Sequence, residues 1–256
     1  MTPVSIQSRD NPQLKTLRKL AQDSTAYRKL GQIWLEGDHL CRAALARGLQ
    51  PALVVFSESY GLEVPAEWSS LAIKSIVIPD TLFAGISGLE SPGRMGCLLD
   101  WPPKPDVQAD VATVILDRVQ DAGNVGSILR SAAAFGFKQV LALKGTAALW
   151  SPKVLRAGMG AHFGLALVEG VEPDMLDALH VPLVVTSSHG GQLIHQQRLP
   201  SPCAWVMGHE GQGVSEALMQ RAALKVRIGQ PGGEESLNVA AAAAICLHAS
   251  ATSRQT

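Results

Sequence analysis

The sequence predicts an α/β protein: a parallel sheet with helices on both faces, preceded by a smaller N-terminal α/β unit. Two observations lead to this prediction. In the second half of the chain, short apolar runs alternate with amphipathic stretches, as a sheet covered on both faces requires. A stiff stretch with three prolines, DWPPKPDVQAD at 100–110, separates this half from a region of looser pattern. We therefore predict domains at residues 1–100 and 109–256, and the length of 256 residues suits two domains of ordinary size.

The N-terminal region alternates between helix-like and strand-like segments. Apolar residues at helical spacing predict helices over Asn11–Ala21 and His39–Arg47. Two short apolar runs, Ala52–Phe56 and Ile73–Ile78, predict strands. This alternation within about 100 residues indicates a compact α/β or α+β unit.

In the C-terminal region the alternation is regular. The predicted strands are Thr113–Leu116, Gln139–Leu143, Leu165–Val168, Leu183–Thr186, Ala204–Met207 and Val226–Ile228. The predicted helices are Val125–Phe135, Pro152–Gly158, Pro173–Leu179, Ser215–Ala222 and Leu237–Ser250. In parallel sheets of this kind, ligands bind beyond the carboxyl ends of the strands. Three glycine-containing or polar motifs begin where predicted strands end, so we expect them to converge on one crevice.

Charge is balanced over the whole chain but not locally. Lys plus Arg and Asp plus Glu number 22 each, which excludes a large uniform positive field. The first 50 residues nevertheless hold eight basic side chains against four acidic ones. The basic ones are Arg9, Lys15, Arg18, Lys19, Arg28, Lys29, Arg42 and Arg47. Two interpretations stay open, contact with nucleic-acid phosphates or ordinary solvated helix faces.

The cysteines and the N-terminus exclude other classes of protein. Four scattered cysteines, with no C-x-x-C pair and no histidine at ligand spacing, predict free thiols and no metal site. They are Cys41, Cys97, Cys203 and Cys246. No apolar run of membrane-spanning length occurs, and the N-terminus lacks the apolar stretch of a secretory signal. We therefore expect a soluble, cytoplasmic protein.

The first motif, NVGSILRSAAAFG, covers Asn124–Gly136. Asn124 is placed to cap the following helix by accepting from the Ser127 amide, and Gly136 to end it in the left-handed conformation. Helical spacing puts Arg130 beside small and apolar side chains, where an arginine needs an anionic partner or access to solvent. Arg130 is therefore either a functional cation or one half of a salt bridge to an acidic loop.

The second and third motifs complete the pattern. GHEGQG, at Gly208–Gly213, lets the backbone approach a ligand closely, and Glu210 is its one carboxylate. Its late position in the chain is wrong for a dinucleotide-binding fingerprint. IGQPGGEESLNVA covers Ile228–Ala240, and Ser236 is placed to cap a helix whose free amides suit the polar end of a ligand.

Together the three motifs resemble those of the SpoU/TrmH family of the SPOUT superfamily. Members of this family transfer a methyl group from S-adenosylmethionine (SAM) to a ribose 2′-hydroxyl of RNA. The resemblance implies SAM as cofactor, an RNA substrate (ribosomal RNA favoured, tRNA possible), a C-terminal trefoil knot, a homodimer and no metal. More loosely, SRDNPQLKTLRKL and WLEGDHLCRAAL resemble the family's L7Ae/L30e-like substrate-binding domain.

The resemblance also implies roles for individual residues. The implied catalytic residues are Arg130, Asn124, Glu210, Ser236 and Asn238, with Glu210 orienting the arginine or contacting substrate. The implied cofactor-binding residues are Thr186, Gly208, Gly213, Ile228 and Leu237. A guanidinium with a pKa above about 12 is a poor base, so we expect Arg130 to hold a phosphate and stabilise negative charge.

The chain departs from the family pattern at two places. His209 stands where Asn or Ser is usual, and Gly229-Gln230 stands where Pro-Met is usual. Loss of the proline predicts a looser loop and weaker cofactor binding. A non-catalytic RNA-binding or ribosome-assembly factor with the same fold stays open as an alternative, whereas nucleotide-dependent redox chemistry lacks a correctly placed fingerprint.

Overall fold

The chain folds into two compact units. The computed structural model describes residues 3–61, 68, 74–187, 190–232 and 236–253. One unit comprises Met1–Pro103 with Trp150–Phe163, and the other comprises Lys104–Leu149 with Gly164–Thr256. The first division thus falls within the proline-rich stretch. Residues 150–163, which the sequence analysis places in the C-terminal domain, pack instead with N-terminal elements.

The N-terminal unit contains a mixed five-stranded sheet with strand order β1-β4-β3-β5-β2. Its strands are Val4–Ser5, Gln32–Glu36, Leu53–Ser57, Ser75–Ile78 and Met95–Asp100 (β1–β5). Its helices are Pro12–Gln22, Ala26–Leu30, Asp38–Leu45, Glu58–Gly61 and Asp80–Ile86 (α1–α5). The predicted strand at 73–78 is confirmed over Ser75–Ile78, while Ile73 lies outside the described residues.

This sheet also contains antiparallel pairs, which the alternation of helices and strands in the sequence does not predict. Strand β5 pairs antiparallel with both β2 and β3. Helix α7, Pro152–Gly158, has the predicted bounds and contacts β2 and α1 in this unit. The helix buries Val154 and Leu155, as expected for a segment that contributes to the N-terminal core.

The C-terminal unit confirms the predicted parallel sheet. It has seven strands in the order β10-β12-β9-β11-β6-β7-β8, and every neighbouring pair is parallel. The strands are Thr113–Leu116, Gln139–Leu143, Ala166–Val171, Leu183–Thr186, Gln192–Leu193, Ala204–Met207 and Leu224–Arg227 (β6–β12). Its helices are Ala122–Ala134, Glu216–Arg221 and Val239–Thr252 (α6, α8 and α9). The predicted helix at 173–179 is a 3-10 helix over Pro173–Ala178, a form typical of short segments.

Both predicted helix caps were wrong. Helix α6 begins at Ala122 because the side chain of Asp121 caps it, accepting from the Asn124 amide at 2.8 Å. Helix α9 begins at Val239 because Asn238, not Ser236, accepts from the first free amides. In each case the cap is the residue with extended or non-helical backbone directly before the first turn. The left-handed Gly136 is confirmed, with φ +77° after the end of α6.

Helices α6 and α9 pack against each other, and α9 also packs on β11. The indole Nε1 of Trp205 donates to the buried Ser250 hydroxyl at 2.8 Å, which joins the sheet to α9. All four cysteines lie outside any disulfide, as predicted, and all four are buried. Burial raises the pKa of the Cys246 thiol to about 12, so this group stays protonated and serves the core.

Candidate functional site

The carboxyl ends of three adjacent strands form one groove. Strands β12, β9 and β11 are neighbours, and the second and third motifs follow β11 and β12 directly. The groove has a volume of about 510 Å³. All five predicted cofactor-binding residues line it: Thr186, Gly208, Gly213, Ile228 and Leu237. Three of the five predicted catalytic residues, Glu210, Ser236 and Asn238, line it as well.

The Gly208–Gly213 segment, here called the glycine loop, is closed by its own backbone. The amide of His209 donates to the Gly213 carbonyl at 3.0 Å, and the reverse bond is 2.8 Å long. The His209 Nδ1 accepts from the amides of Gly211 at 3.0 Å and Gln212 at 3.2 Å. These donors assign the hydrogen of a neutral ring to Nε2. His209, which stands where Asn or Ser is usual in the family, therefore stabilises the loop through these two hydrogen bonds.

Glycine is required at the start of this loop. A Cβ on Gly208 would lie 2.2 Å from the Gly213 carbonyl carbon and 2.2 Å from the Val214 nitrogen. Both are backbone atoms, so a side chain would force the loop apart. The sequence indicated close backbone approach here, but the approach is made by the loop's own chain.

The carboxylate of Glu210 lies at the start of α6. Its oxygens accept from the amides of Gln120 at 3.1 Å and Asp121 at 3.0 Å, and from Asn124 Nδ2 at 3.2 Å. Partial burial raises the pKa of this carboxyl, but the amide and Asn124 hydrogen bonds outweigh that effect and the pKa lies below its usual range. Glu210 is thus anionic at neutral pH, where the helix N-terminus favours negative charge.

Asn124 connects all three motifs. Its Nδ2 donates to Glu210, and its Oδ1 accepts from Asn238 Nδ2 at 2.9 Å. Asn238 in turn caps α9, accepting from the amides of Ala240 at 2.9 Å and Ala241 at 3.2 Å. The predicted site residues Asn124, Glu210 and Asn238 therefore form one hydrogen-bonded chain along the edge of the groove.

Arg130 lies on α6, six residues after Asn124 and roughly 9 Å further along the helix axis. Its side chain is exposed, and within the described part of the chain it makes no hydrogen bond or ion pair. The salt-bridge interpretation is thus not supported by the described residues, and Glu210 does not contact this arginine. The guanidinium is free to bind an anion from solution.

A second connection, which the sequence analysis missed, links the glycine loop to β6. Asp117, with 1% of its surface exposed, accepts from the Ser215 amide at 2.6 Å and from Arg118 Nε at 2.9 Å. Arg118 also donates to Gln212 Oε1 at 3.0 Å, from a left-handed backbone with φ +60°. The sequence feature that could have indicated this connection is an aspartate directly after a buried strand, because a charge at such a position requires partners.

Two further residues of the third motif shape the groove. Ser236 and Leu237 are exposed and line it, with Leu237 at 40% exposure. Gln230 also lines it, and its Oε1 is buried with no hydrogen-bond partner among the described residues. The sequence analysis assigned no role to Gln230.

The described residues contain neither a metal-binding cluster nor a helix of membrane-spanning type. No group of three or more His, Cys, Asp or Glu side chains in them is arranged to hold a metal ion. No helix among them combines the length and the apolarity needed to cross a membrane.

Comparison with known proteins identifies the family. Residues 112–248 match the model of the SpoU rRNA methylase family. The chain is 29% identical over 247 residues to the 23S rRNA (guanosine(2553)-2′-O)-methyltransferase RlmP of Bacillus subtilis, covering 95% of this chain and 97% of that protein.

Solved structures agree. An RNA 2′-O ribose methyltransferase superposes with a TM-score of 0.83 at 26% identity, covering 99% of this chain and 100% of that one. An AdoMet-bound rRNA methyltransferase from Sinorhizobium meliloti superposes with a TM-score of 0.82 at 26% identity, covering 96% of each chain. The chain therefore belongs to the SpoU rRNA methylase family, a family of RNA methyltransferases.

Proposed function

We propose that the protein is a SAM-dependent RNA ribose 2′-O-methyltransferase that acts on ribosomal RNA. The observation that carries the proposal is the hydrogen-bonded chain from Glu210 through Asn124 to Asn238. It joins a groove of cofactor size to the helix that presents an unpaired arginine. The 2′-O-methylation of 23S rRNA for which the Bacillus subtilis relative is named supports both the 2′-hydroxyl and the ribosomal substrate.

The groove fits SAM. Its volume of about 510 Å³ is in the range of small-molecule sites. Its wall combines apolar side chains, including Ile228, Leu237 and Val239, with residues of the glycine loop. The related Sinorhizobium meliloti structure contains this cofactor. When bound, SAM supplies an electrophilic methyl group, and its sulfur keeps the electron pair of the broken C–S bond as the ribose oxygen forms the new C–O bond.

Arg130 binds the phosphate beside the target ribose and stabilises the negative charge that develops on the attacking oxygen. A guanidinium suits both tasks because it is always charged and donates in a fixed fork. It does not take the proton, because a guanidinium stays protonated in proteins. The hydroxyl proton passes to a phosphate oxygen or to water. Most of the acceleration then comes from alignment and charge stabilisation.

The other site residues position these groups. Glu210 and Asn124 fix the first turn of α6, and thereby the helix that carries Arg130. Asn238 holds the Asn124 side chain in one orientation. The exposed Ser236 hydroxyl stands at the groove, where it contacts RNA or cofactor.

The N-terminal unit is proposed to bind the RNA, as an L7Ae/L30e-like domain. Its basic residues support this proposal because most of them reach solvent. Those exposed among the first 50 residues are Arg9, Lys15, Lys19, Arg28, Lys29 and Arg47. Lys15 pairs with Asp10 and Arg42 with Asp38, so part of this charge is already neutralised. tRNA remains the alternative substrate.

The homodimer and the trefoil knot also remain proposals. The exposed face of α9 supports a dimer, since it carries Ile245 at 41% exposure among small alanines that permit close approach of a second chain. Mass measurement in solution, by light scattering on a sizing column, tests this proposal. A monomer at micromolar concentration would contradict it.

The experiment that tests the function is transfer of a labelled methyl group from SAM to purified ribosomal RNA and tRNA. We expect transfer to ribosomal RNA, at the ribose oxygen, by the native protein. Arg130→Ala should lose transfer by at least about 100-fold while SAM affinity stays within about twofold, because the arginine lies outside the groove. Loss of both would show that Arg130 is structural. RNA binding without transfer to either RNA would favour the non-catalytic alternative.

A further inference from the structure

Arg118 is held in an unusual conformation just after β6. Its backbone is left-handed, with φ +60°, which residues other than glycine rarely adopt. Its aliphatic stem packs on Gly145, where a Cβ would come within 3.2 Å of Arg118 Cγ. Such conformations persist where the surroundings impose them, and they cluster at functional sites. The hydrogen bonds of the side chain indicate what this conformation serves.

The Arg118 guanidinium connects a buried carboxylate to the glycine loop. Its Nε donates to Asp117 Oδ1 at 2.9 Å, and its Nη1 donates to Gln212 Oε1 at 3.0 Å. The other Asp117 oxygen accepts from the Ser215 amide at 2.6 Å. The Asp117 side chain is only 2% exposed, so one end of the connection is fixed in the core. Because the guanidinium is a rigid planar fork, it places the Gln212 side chain relative to β6.

Gln212 lies at the tip of the glycine loop and lines the groove. The backbone bonds between His209 and Gly213 close the loop on itself, but they do not set its position relative to α6. Within the loop, Glu210 makes one link to that helix, through two amides at its start. One link leaves the tip free to pivot about it. The Arg118 bond, made two residues further along the loop, removes that freedom.

We propose that Arg118 is a positioning residue for methyl transfer. Acting through Gln212, it holds the glycine loop in a fixed position relative to the helix that carries Arg130. The inference rests on the proposed transfer of a methyl group from SAM to RNA. That reaction requires the methyl group and the ribose oxygen to be aligned, so a small displacement of the loop slows transfer more than it weakens cofactor binding. Arg118 therefore affects the rate at saturating substrates and not the affinity for the cofactor.

The test compares Arg118→Lys and Gln212→Met with the native full-length protein. Arg118→Lys keeps a charge beside Asp117 but lacks the fork, and Gln212→Met removes the acceptor. The measurements are the rate of labelled methyl transfer to ribosomal RNA at saturating SAM and RNA, the calorimetric affinity for S-adenosylhomocysteine (SAM without its methyl group), and the unfolding temperature. We expect each variant to lower the rate about tenfold, with affinity within about threefold and unfolding temperature within about 2 °C of native.

The double variant Arg118→Lys/Gln212→Met distinguishes one shared action from two separate ones. If Arg118 acts through Gln212, the double variant should be within about twofold of the slower single variant. Gln212→Glu, which keeps an acceptor for the guanidinium, should transfer faster than Gln212→Met. Gln220→Met is the matched control, a surface glutamine on α8 that bonds Glu216, and should keep the native rate.

Three results would overturn the inference. Native rates in both single variants, or losses that multiply in the double variant, would mean that the Arg118–Gln212 bond does not position the loop. Affinity for S-adenosylhomocysteine that falls as far as the rate would mean that Gln212 holds the cofactor itself. A lowered unfolding temperature in both variants would mean that the connection is structural. Absence of transfer by the native protein would instead refute the proposed function, and with it the inference that rests on it.

Discussion

At the scale of single residues, the Glu210 carboxylate connects the glycine loop to the start of α6. Glu210 accepts hydrogen bonds from two backbone amides and from Asn124 at the start of α6. Each of these bonds stabilises the ionised form, and the positive end of the helix dipole acts in the same direction. The acidic residue of the glycine loop therefore organises the helix that carries Arg130, without contacting the arginine.

Glu210→Gln should lower stability in a manner that depends on pH. The pKa of Glu210 in the folded protein lies below its ordinary value of 4.5. Ionisation therefore stabilises the fold above pH 4.5, and this contribution is lost as pH falls through the lowered folded pKa. We expect the native chain to exceed Glu210→Gln by roughly 0.3–1 kcal/mol at pH 7 in urea unfolding, with the difference shrinking towards pH 3. A difference independent of pH would show that the charge does not matter.

The sequence identified these residues but not their partners. Arg130, Asn124, Glu210 and Asn238 were all selected through the resemblance of the three motifs to those of the family. Which residue caps a helix depends on the backbone angles at one position, and Asp121 and Asn238 are the residues with non-helical backbone directly before α6 and α9. Asp117 was missed, because its partners, the Ser215 amide and the Arg118 side chain, come beside it only in the folded chain.

At the scale of elements, the glycine loop is rigid because its own backbone closes it. Its two cross-loop hydrogen bonds join His209 and Gly213, and the His209 ring accepts from two more amides. These hydrogen bonds hold the loop in one conformation in the absence of a ligand. Such pre-organisation reduces the entropy lost on binding.

Gly208→Ala should therefore damage cofactor binding. The added Cβ would lie 2.2 Å from backbone atoms of Gly213 and Val214, so the loop must open. We expect affinity for S-adenosylhomocysteine to fall by more than about tenfold and stability to fall by roughly 1–3 kcal/mol. Calorimetry and urea unfolding measure the two effects.

Gly211→Ala is the matched control in the same loop. Its Cβ would lie 3.8 Å from the His209 ring, which is ordinary contact. Its effect on both quantities should be several times smaller. Equal losses in the two variants would mean that any methyl group in this loop is damaging, and that the contact at Gly208 is not the cause.

The elements themselves were largely predictable, and the exceptions have physical causes. Apolar runs marked the buried strands of the parallel sheet, because both of its faces are covered. Strand β2, Gln32–Glu36, has a mixed pattern, and its pairing with Met95–Asp100 spans more than 60 residues. Local periodicity carries no information about such pairing.

At the scale of the whole molecule, the chain order does not match the division into units. Residues 150–163 leave the C-terminal unit, add α7 to the N-terminal unit and return. The chain passes between the two units three times, after Pro103, Leu149 and Phe163. The proline-rich stretch marks the first of these boundaries, but no comparable composition marks the other two. Sequence alone therefore indicated two domains and a single linker.

Deleting residues 1–103 tests this arrangement. The remaining chain keeps a core built on its own strands and all groove residues, so we expect it to fold and to bind S-adenosylhomocysteine. It loses α1 and β2, the partners of α7, and should expose the normally buried Trp150, Val154 and Leu155. We expect strong binding of a hydrophobic dye and poor solubility. RNA selectivity should also fall, because the proposed RNA-binding unit is gone.

A second truncation, in which a short Gly/Ser linker also replaces residues 150–163, separates the two effects. It should bind S-adenosylhomocysteine as the first truncation does. It should also bind several-fold less dye and be more soluble, because the apolar helix is gone. Equal dye binding by both truncations would mean that α7 is not the exposed surface. Loss of ligand binding in both, with secondary structure retained by circular dichroism, would mean that the groove depends on the N-terminal unit and that the C-terminal unit is not an independent binding domain.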